Sequence, residues 1–127
     1  VHNYIDNSST FEDTAGSTLL AAASYRLANL GLSSSHVDFA NQIHSTVAAR
    51  YINFTGHLTH AVDPLNFGKQ GTSSPEGQAF ILLMQAGYRD YTAAGGKDDT
   101  SAAAPTRVVG LGALGVALAA AVTLGLW

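Results

Sequence analysis

Five histidines, nine carboxylates and one serine-rich helix start carry most of the chemistry open to this 127-residue chain. His57-x-x-His60, with Asp63 close behind, has the residue types of half a metal site. No third strong ligand follows at short spacing, and no His-Glu-x-x-His helix occurs, so no metal and no cofactor is expected. Glu12 and Asp13 are adjacent carboxylates. A catalytic acid–base pair must flank the bond it cleaves, about 5–10 Å apart. Neighbours at a helix start are expected to cap that helix instead. The third candidate is Gly71-Thr72-Ser73-Ser74-Pro75-Glu76-Gly77-Gln78-Ala79-Phe80. Ser74 suits an N-cap and Pro75 the first helical position, where its missing N–H and fixed φ cost nothing. Such a loop leaves backbone N–H groups free for an anion. A capped helix start with no ligand has the same residue pattern. No nucleophile elbow, phosphate loop or dinucleotide fingerprint occurs.

Three helices are needed to place these residues. Leu19, Leu20, Ala23, Leu27 and Leu30 recur at three- and four-residue steps and predict a first helix over 13–30 with one apolar stripe. Ser9-x-x-Glu12 has capping-box spacing before it, and Gly31 suits its C′ end. A second cap signal, Ser35-x-x-Asp38, opens a helix over about 36–50. Val37, Ala40, Ile43, His44 and Val47 share its inner face, and His44 reads as a core histidine. The short link between the two helices predicts an αα-hairpin. Residues 51–74 show no helical period, apart from a short extended piece near 58–62, and hold His57, His60, Asp63, Asn66, Lys69 and Gln70. A loop that long in a compact domain usually has a function. A third helix is predicted over 75–91, with Phe80, Leu83, Met84, Gly87 and Tyr91 on its apolar face. Gly77 and Gly87 in its interior point to close packing or a close ligand.

The net charge is −3 and the six Lys and Arg are scattered, so nucleic acid is not an expected partner. There is no cysteine, hence no disulfide framework and no thiol catalyst. The chain begins at Val1 and its single methionine is Met84, as in a processed product or a fragment. Composition divides it in three: a helical region over 1–92, a small and polar linker over 93–107, and a hydrophobic tail over 108–127. The tail is twenty uncharged, mostly apolar residues, long enough for a bilayer-spanning helix. Small residues at Ala93-Ala94-Gly95-Gly96, a polar spacer and an apolar end match a glycosylphosphatidylinositol attachment signal, with Ala94 as the candidate site and Ser101 as a later one. An ordinary tail-anchored helix is the alternative. Asn7-Ser8-Ser9 and Asn53-Phe54-Thr55 are N-glycosylation sequons, which agrees with an extracellular, membrane-anchored placement at the cell surface.

Two blocks carry a resemblance. Asp6-Asn7-Ser8-Ser9-Thr10-Phe11-Glu12-Asp13-Thr14-Ala15-Gly16-Ser17-Thr18-Leu19-Leu20, followed by Tyr25-Arg26-Leu27-Ala28, resembles the carboxy-terminal part of six-hairpin glycosidases. Val62-Asp63-Pro64-Leu65-Asn66-Phe67-Gly68 and Ser73-Ser74-Pro75-Glu76-Gly77-Gln78-Ala79-Phe80 are similar to segments of the same proteins, fungal members of glycoside hydrolase families 88 and 105. The resemblance covers about residues 3–92. It implies an all-α fold, the C-terminal helical hairpins of an (α/α)6 barrel. It also implies an oligosaccharide substrate, with hydrolysis of unsaturated uronyl groups left by polysaccharide lyases, such as rhamnogalacturonan fragments. The catalytic aspartate of those families lies in earlier hairpins, so it is expected upstream of Val1. This segment would supply cleft wall: Thr72, Ser73 and Ser74 for the uronate carboxylate, His57 and His60 for sugar hydroxyls, and Tyr51, Phe54 and Phe67 as aromatic surfaces. A non-catalytic cell-surface helical module, held by its tail, is the alternative.

Overall fold

The structure is a computed structural model that describes residues 1–96. Most of the expected linker, Ser101 and the whole apolar tail lie outside the described residues. The described chain is mostly helical, with α1 (Thr14–Asn29), α2 (Val37–Arg50), β1 (Val62–Asp63), β2 (Asn66–Gln70) and α3 (Pro75–Ala93) in order. No helix among the described residues is long and apolar enough to cross a membrane.

α1 starts one residue later than its spacing predicts, because Asp13 and not Ser9 caps it. Asp13 Oδ1 accepts from Ala15 N–H (3.1 Å) and Oδ2 from Gly16 N–H (3.0 Å). The Ser9–Glu12 capping box does not form. Ser9 turns back on Asn7 Oδ1, and the Glu12 carboxylate goes to Tyr51. The far end follows its sequence signal. Gly31 adopts φ +68° and donates to Ala28 O (2.9 Å), while Leu32 N–H reaches Leu27 O (3.0 Å). That pair of bonds is the Schellman motif, and the left-handed residue in it costs glycine little.

The leucine stripe of α1 is not what the core covers. Leu19, Leu20, Ala23, Leu27 and Leu30 are exposed, while Ala15, Thr18, Ala21, Ala22 and Tyr25 are buried. Small side chains decide this, because they let a second backbone come close. A Cβ on Gly87 of α3 would lie 3.0 Å from Tyr25 Cβ. Asn29 Nδ2 donates across the same contact to Gly87 O (3.0 Å). Both interior glycines of α3 therefore mark close packing: a Cβ on Gly77 would meet Leu58, Ser74 and Ala15 within 3.3 Å.

α2 packs on α1 as the hairpin reading expects, and α1 packs more extensively on α3. α2 begins at Val37 without a side-chain cap. Val37, Ala40 and Val47 are buried, with Ile43 packed against them. Tyr25 is the centre of the core: fully buried, its hydroxyl donating to Asn41 Oδ1 (2.8 Å), its ring edge-on to Tyr88 at 5.6 Å. His44 is half-buried, stacked on Tyr88 with ring centroids 4.0 Å apart and within 3.2 Å of Gln85 Oε1. α3 starts at Pro75, with Ser74 as its N-cap, and extends to Ala93, two residues past the expected end.

The segment expected to be a loop contains a small antiparallel hairpin, β1–β2, so the described chain is not purely helical. Its turn is Asp63-Pro64-Leu65-Asn66. Asp63 Oδ1 accepts from Leu65 N–H (2.9 Å), and Pro64 fixes φ where the chain reverses. The Asp-Pro pair was the available signal, but β2 is exposed throughout and shows no apolar alternation to make it readable as a strand.

Candidate functional site

One end of the molecule gathers the starts of α1 and α3, the end of α2 and the 51–71 connection. The chemistry-bearing residues lie here because their backbones are tied together. Thr14 N–H donates to His60 O (3.1 Å) and Thr14 Oγ1 to Thr59 O (2.6 Å). Asp13 Oδ1, already capping α1, also accepts from Val62 N–H (3.2 Å). Gln78, in the first turns of α3, spans the other side: Oε1 accepts from Leu58 N–H (2.9 Å) and Nε2 donates to Gly56 O (3.0 Å). Leu58 and Ala61 are buried beneath these bonds.

Tyr51, Glu12 and His60 form the one polar cluster at this end that sequence spacing did not reveal. The Tyr51 hydroxyl donates to the Glu12 carboxylate. The His60 ring meets Tyr51 edge-on, centroids 5.1 Å apart. His60 has φ +62°, the one non-glycine residue with positive φ among those described. A non-glycine there costs on the order of 1 kcal/mol and persists where its surroundings hold it; the bond from Thr14 N–H to His60 O does so here. The Tyr51 hydrogen bond lowers the pKa of Glu12 despite some opposing burial, and the same bond raises that of Tyr51. Glu12 is thus a carboxylate at neutral pH, an acceptor and not an acid.

Beside this cluster a cavity of about 220 Å³ opens between α1 and α2, walled by Glu12, Ser17, Gln42, Thr46 and Tyr51, with Phe39 as aromatic surface. Hydroxyl, amide and carboxylate groups around a ring are suited to a polar, hydroxyl-rich ligand. A single carboxylate does not make an acid–base pair. The Val1 amine shares this wall and donates to Ser17 Oγ (2.6 Å), so the cavity does not carry the Glu12 charge alone.

The expected site residues divide. Thr72 and Ser73 are exposed just before α3. Ser74 is buried, its Oγ accepting from Gly77 N–H (2.9 Å) and donating to Glu76 (3.3 Å), so its hydroxyl is taken up by the cap. His57 and His60 are exposed, and their Nδ1 atoms pair with Thr55 Oγ1 (2.8 Å) and Thr59 Oγ1 (3.1 Å). None of these five lines the cavity. No group of three His, Cys, Asp or Glu residues converges on a metal position among the described residues. Asn7 and Asn53 are exposed in separate loops, and Ala94 is the exposed C-cap of α3. Tyr51 and Glu12 were each visible in sequence, one as an aromatic surface and one as a helix-start carboxylate. Their pairing across 39 residues carried no local signal.

No protein-family model matches the chain, and no curated protein or solved structure is significantly similar to it.

Proposed function

We propose that this chain is the carboxy-terminal helical part of a larger six-hairpin glycosidase, acting on unsaturated uronyl oligosaccharides and held at the cell surface by its tail. The observation that carries the reading is the convergence of the two resembling blocks. Asp13 caps α1, Ser74 caps α3, and Gly77 lies against Ala15 so closely that a Cβ would sit 3.3 Å from it. Blocks about sixty residues apart in the chain thus build one surface. The exposed leucines of α1, with Leu82 and Leu83 of α3, also suit helices that continue into further hairpins. Between α1 and α3 a groove of about 400 Å³ is walled mainly by Leu19, Ala22, Ala23, Leu83 and Ala86. Asn29 Oδ1 is buried there without a partner among the described residues.

In this reading the uronate carboxylate lies against Thr72 and Ser73, whose hydroxyls are exposed, and away from the Glu12 charge. Sugar hydroxyls meet His57 and His60, both exposed in the 51–71 connection. The proton-transferring aspartate comes from a hairpin before Val1. The test is a titration of the chain with an unsaturated uronyl disaccharide, followed by NMR and by the ultraviolet absorbance of the ring double bond. The expected result is shifted Thr72 and Ser73 amides with constant absorbance. Loss of absorbance would place the acid within these residues, with Asp13 and Asp63 the first to mutate. Unmoved amides would overturn the sugar-binding role.

The lone carboxylate of the cavity favours a second reading, a non-catalytic cell-surface module. A chain extended upstream that binds the sugar and never consumes it would decide for that reading.

A further inference from the structure

The sequon Asn53-Phe54-Thr55 forms the tip of a tight loop. Ile52 bridges Leu58, Asn53 N–H donates to His57 O (2.9 Å), and Gly56 N–H, at φ +82°, donates to Asn53 O (2.9 Å). The side-chain amide of Asn53 is fixed through its oxygen. Oδ1 accepts from Thr55 N–H (3.0 Å), Thr55 Oγ1 (2.7 Å) and His57 N–H (2.9 Å). An amide is planar, so an oxygen turned into the loop turns the nitrogen away from it. The hydrogen bonds of the Asn53 side chain all run through Oδ1 among the described residues. Asn53, Phe54 and Thr55 are exposed, Phe54 completely (101%). Asn7-Ser8-Ser9 repeats the arrangement elsewhere on the surface, with Ser9 N–H (3.0 Å) and Ser9 Oγ (2.6 Å) both donating to Asn7 Oδ1.

We propose that Asn53 carries an N-linked glycan, with Asn7 as a second acceptor. The donor class is an oligosaccharide on a lipid pyrophosphate, in a secretory compartment. The Nδ2–C1 bond forms as the bond from C1 to the pyrophosphate oxygen breaks. The pyrophosphate leaves with the electron pair, and Nδ2 loses one proton. The Thr55 hydroxyl is the recognition group of the sequon, and here it lies within hydrogen-bond distance of the acceptor amide. Nothing in the fold opposes the product: the loop tip faces solvent, and the glycan would shield Phe54, a large apolar ring otherwise left in water. The proposal rests on the extracellular placement above and is independent of the glycosidase activity.

The test expresses the 127-residue chain behind a secretory leader in eukaryotic cells. Secreted and cell-associated chain are both digested with peptide-N-glycosidase in heavy-oxygen water and mapped by mass spectrometry. Transfer precedes export, so a chain retained in the cell reports as well as a secreted one. The expected result is heavy-oxygen aspartate at position 53 in most molecules, lost in Thr55→Ala and kept in Thr55→Ser, with Asn7 labelled in all three. Unlabelled Asn53 in the wild-type chain overturns the proposal. Because the leader is supplied, that outcome does not bear on the glycosidase reading, which the disaccharide titration tests separately.

Discussion

The two ends of α1 and α3 are held in different ways from their outer face. At the loop end every contact is specific. Asp13, Thr14, Ser74 and Gln78 each bind backbone groups of another segment or of a helix terminus, over buried Leu58 and Ala61. On the outer face of the same two helices the side chains are leucines and alanines, and Leu19, Leu20, Leu82 and Leu83 remain exposed. One region is finished in this chain, whereas the other has apolar area and no cover among the described residues. Hydrogen bonds to unique partners define a single arrangement, while an apolar stripe defines only a preference for some neighbour.

Mutation can break that contrast. Tyr25→Ala removes the side chain where all three helices meet and leaves Asn41 without its phenol. It is expected to cost about 3–5 kcal/mol in chemical denaturation, the range for truncating a buried aromatic. A loss below about 1 kcal/mol would show that the core is not centred there. Asp13→Ala frees two N–H groups of α1 and the Val62 N–H at once. The expected loss is about 1–2 kcal/mol, with Asp13→Asn retaining part of it. Equal stability of the Ala and Asn variants would show that the cap does not tie α1 to the loop.

Acidification probes the Glu12–Tyr51 pair. The folded pKa of Glu12 is lowered, so its contribution is present above the ordinary glutamate value and fades as pH falls through the lowered one. Tyr51 is raised, so its contribution is present below the ordinary phenol value and fades as pH rises through the raised one. Tyr51→Phe should lower the neutral plateau of a stability–pH curve toward its acid and alkaline ends and so flatten both limbs, by a small amount, since Glu12 is exposed and solvent screens it. An unchanged curve would dissolve the pair. The smallest effect is expected on the open face. Leu82→Gln with Leu83→Gln should change stability by no more than about 0.5 kcal/mol per site, while lowering binding of an apolar dye. A large loss would mean that this face is already covered.

Much of the local structure was legible. The Ser74-Pro75 start of α3, the Gly31 end of α1 and the inner face of α2 follow from capping and periodicity, because each depends on a few adjacent residues. The start of α1 was misplaced because two cap signals overlap. Asp13 wins by binding Val62 as well as its own helix, a partner no local pattern contains. The hairpin β1–β2 was hidden by its exposure. The Glu12–Tyr51 contact was hidden by its sequence separation.

The sequence by itself determined that three helices form, that Ser74 caps α3 and Gly31 ends α1, and that each helix bears an apolar face, since these are matters of backbone sterics and spacing. Which face of α1 is buried was decided only in three dimensions. Alanines, Thr18 and Gly87 let α1 and α3 approach closely around Tyr25, and the longer leucine side chains lie outside that approach. Periodicity measures the wish of a face to be covered, whereas backbone proximity decides which neighbour can cover it.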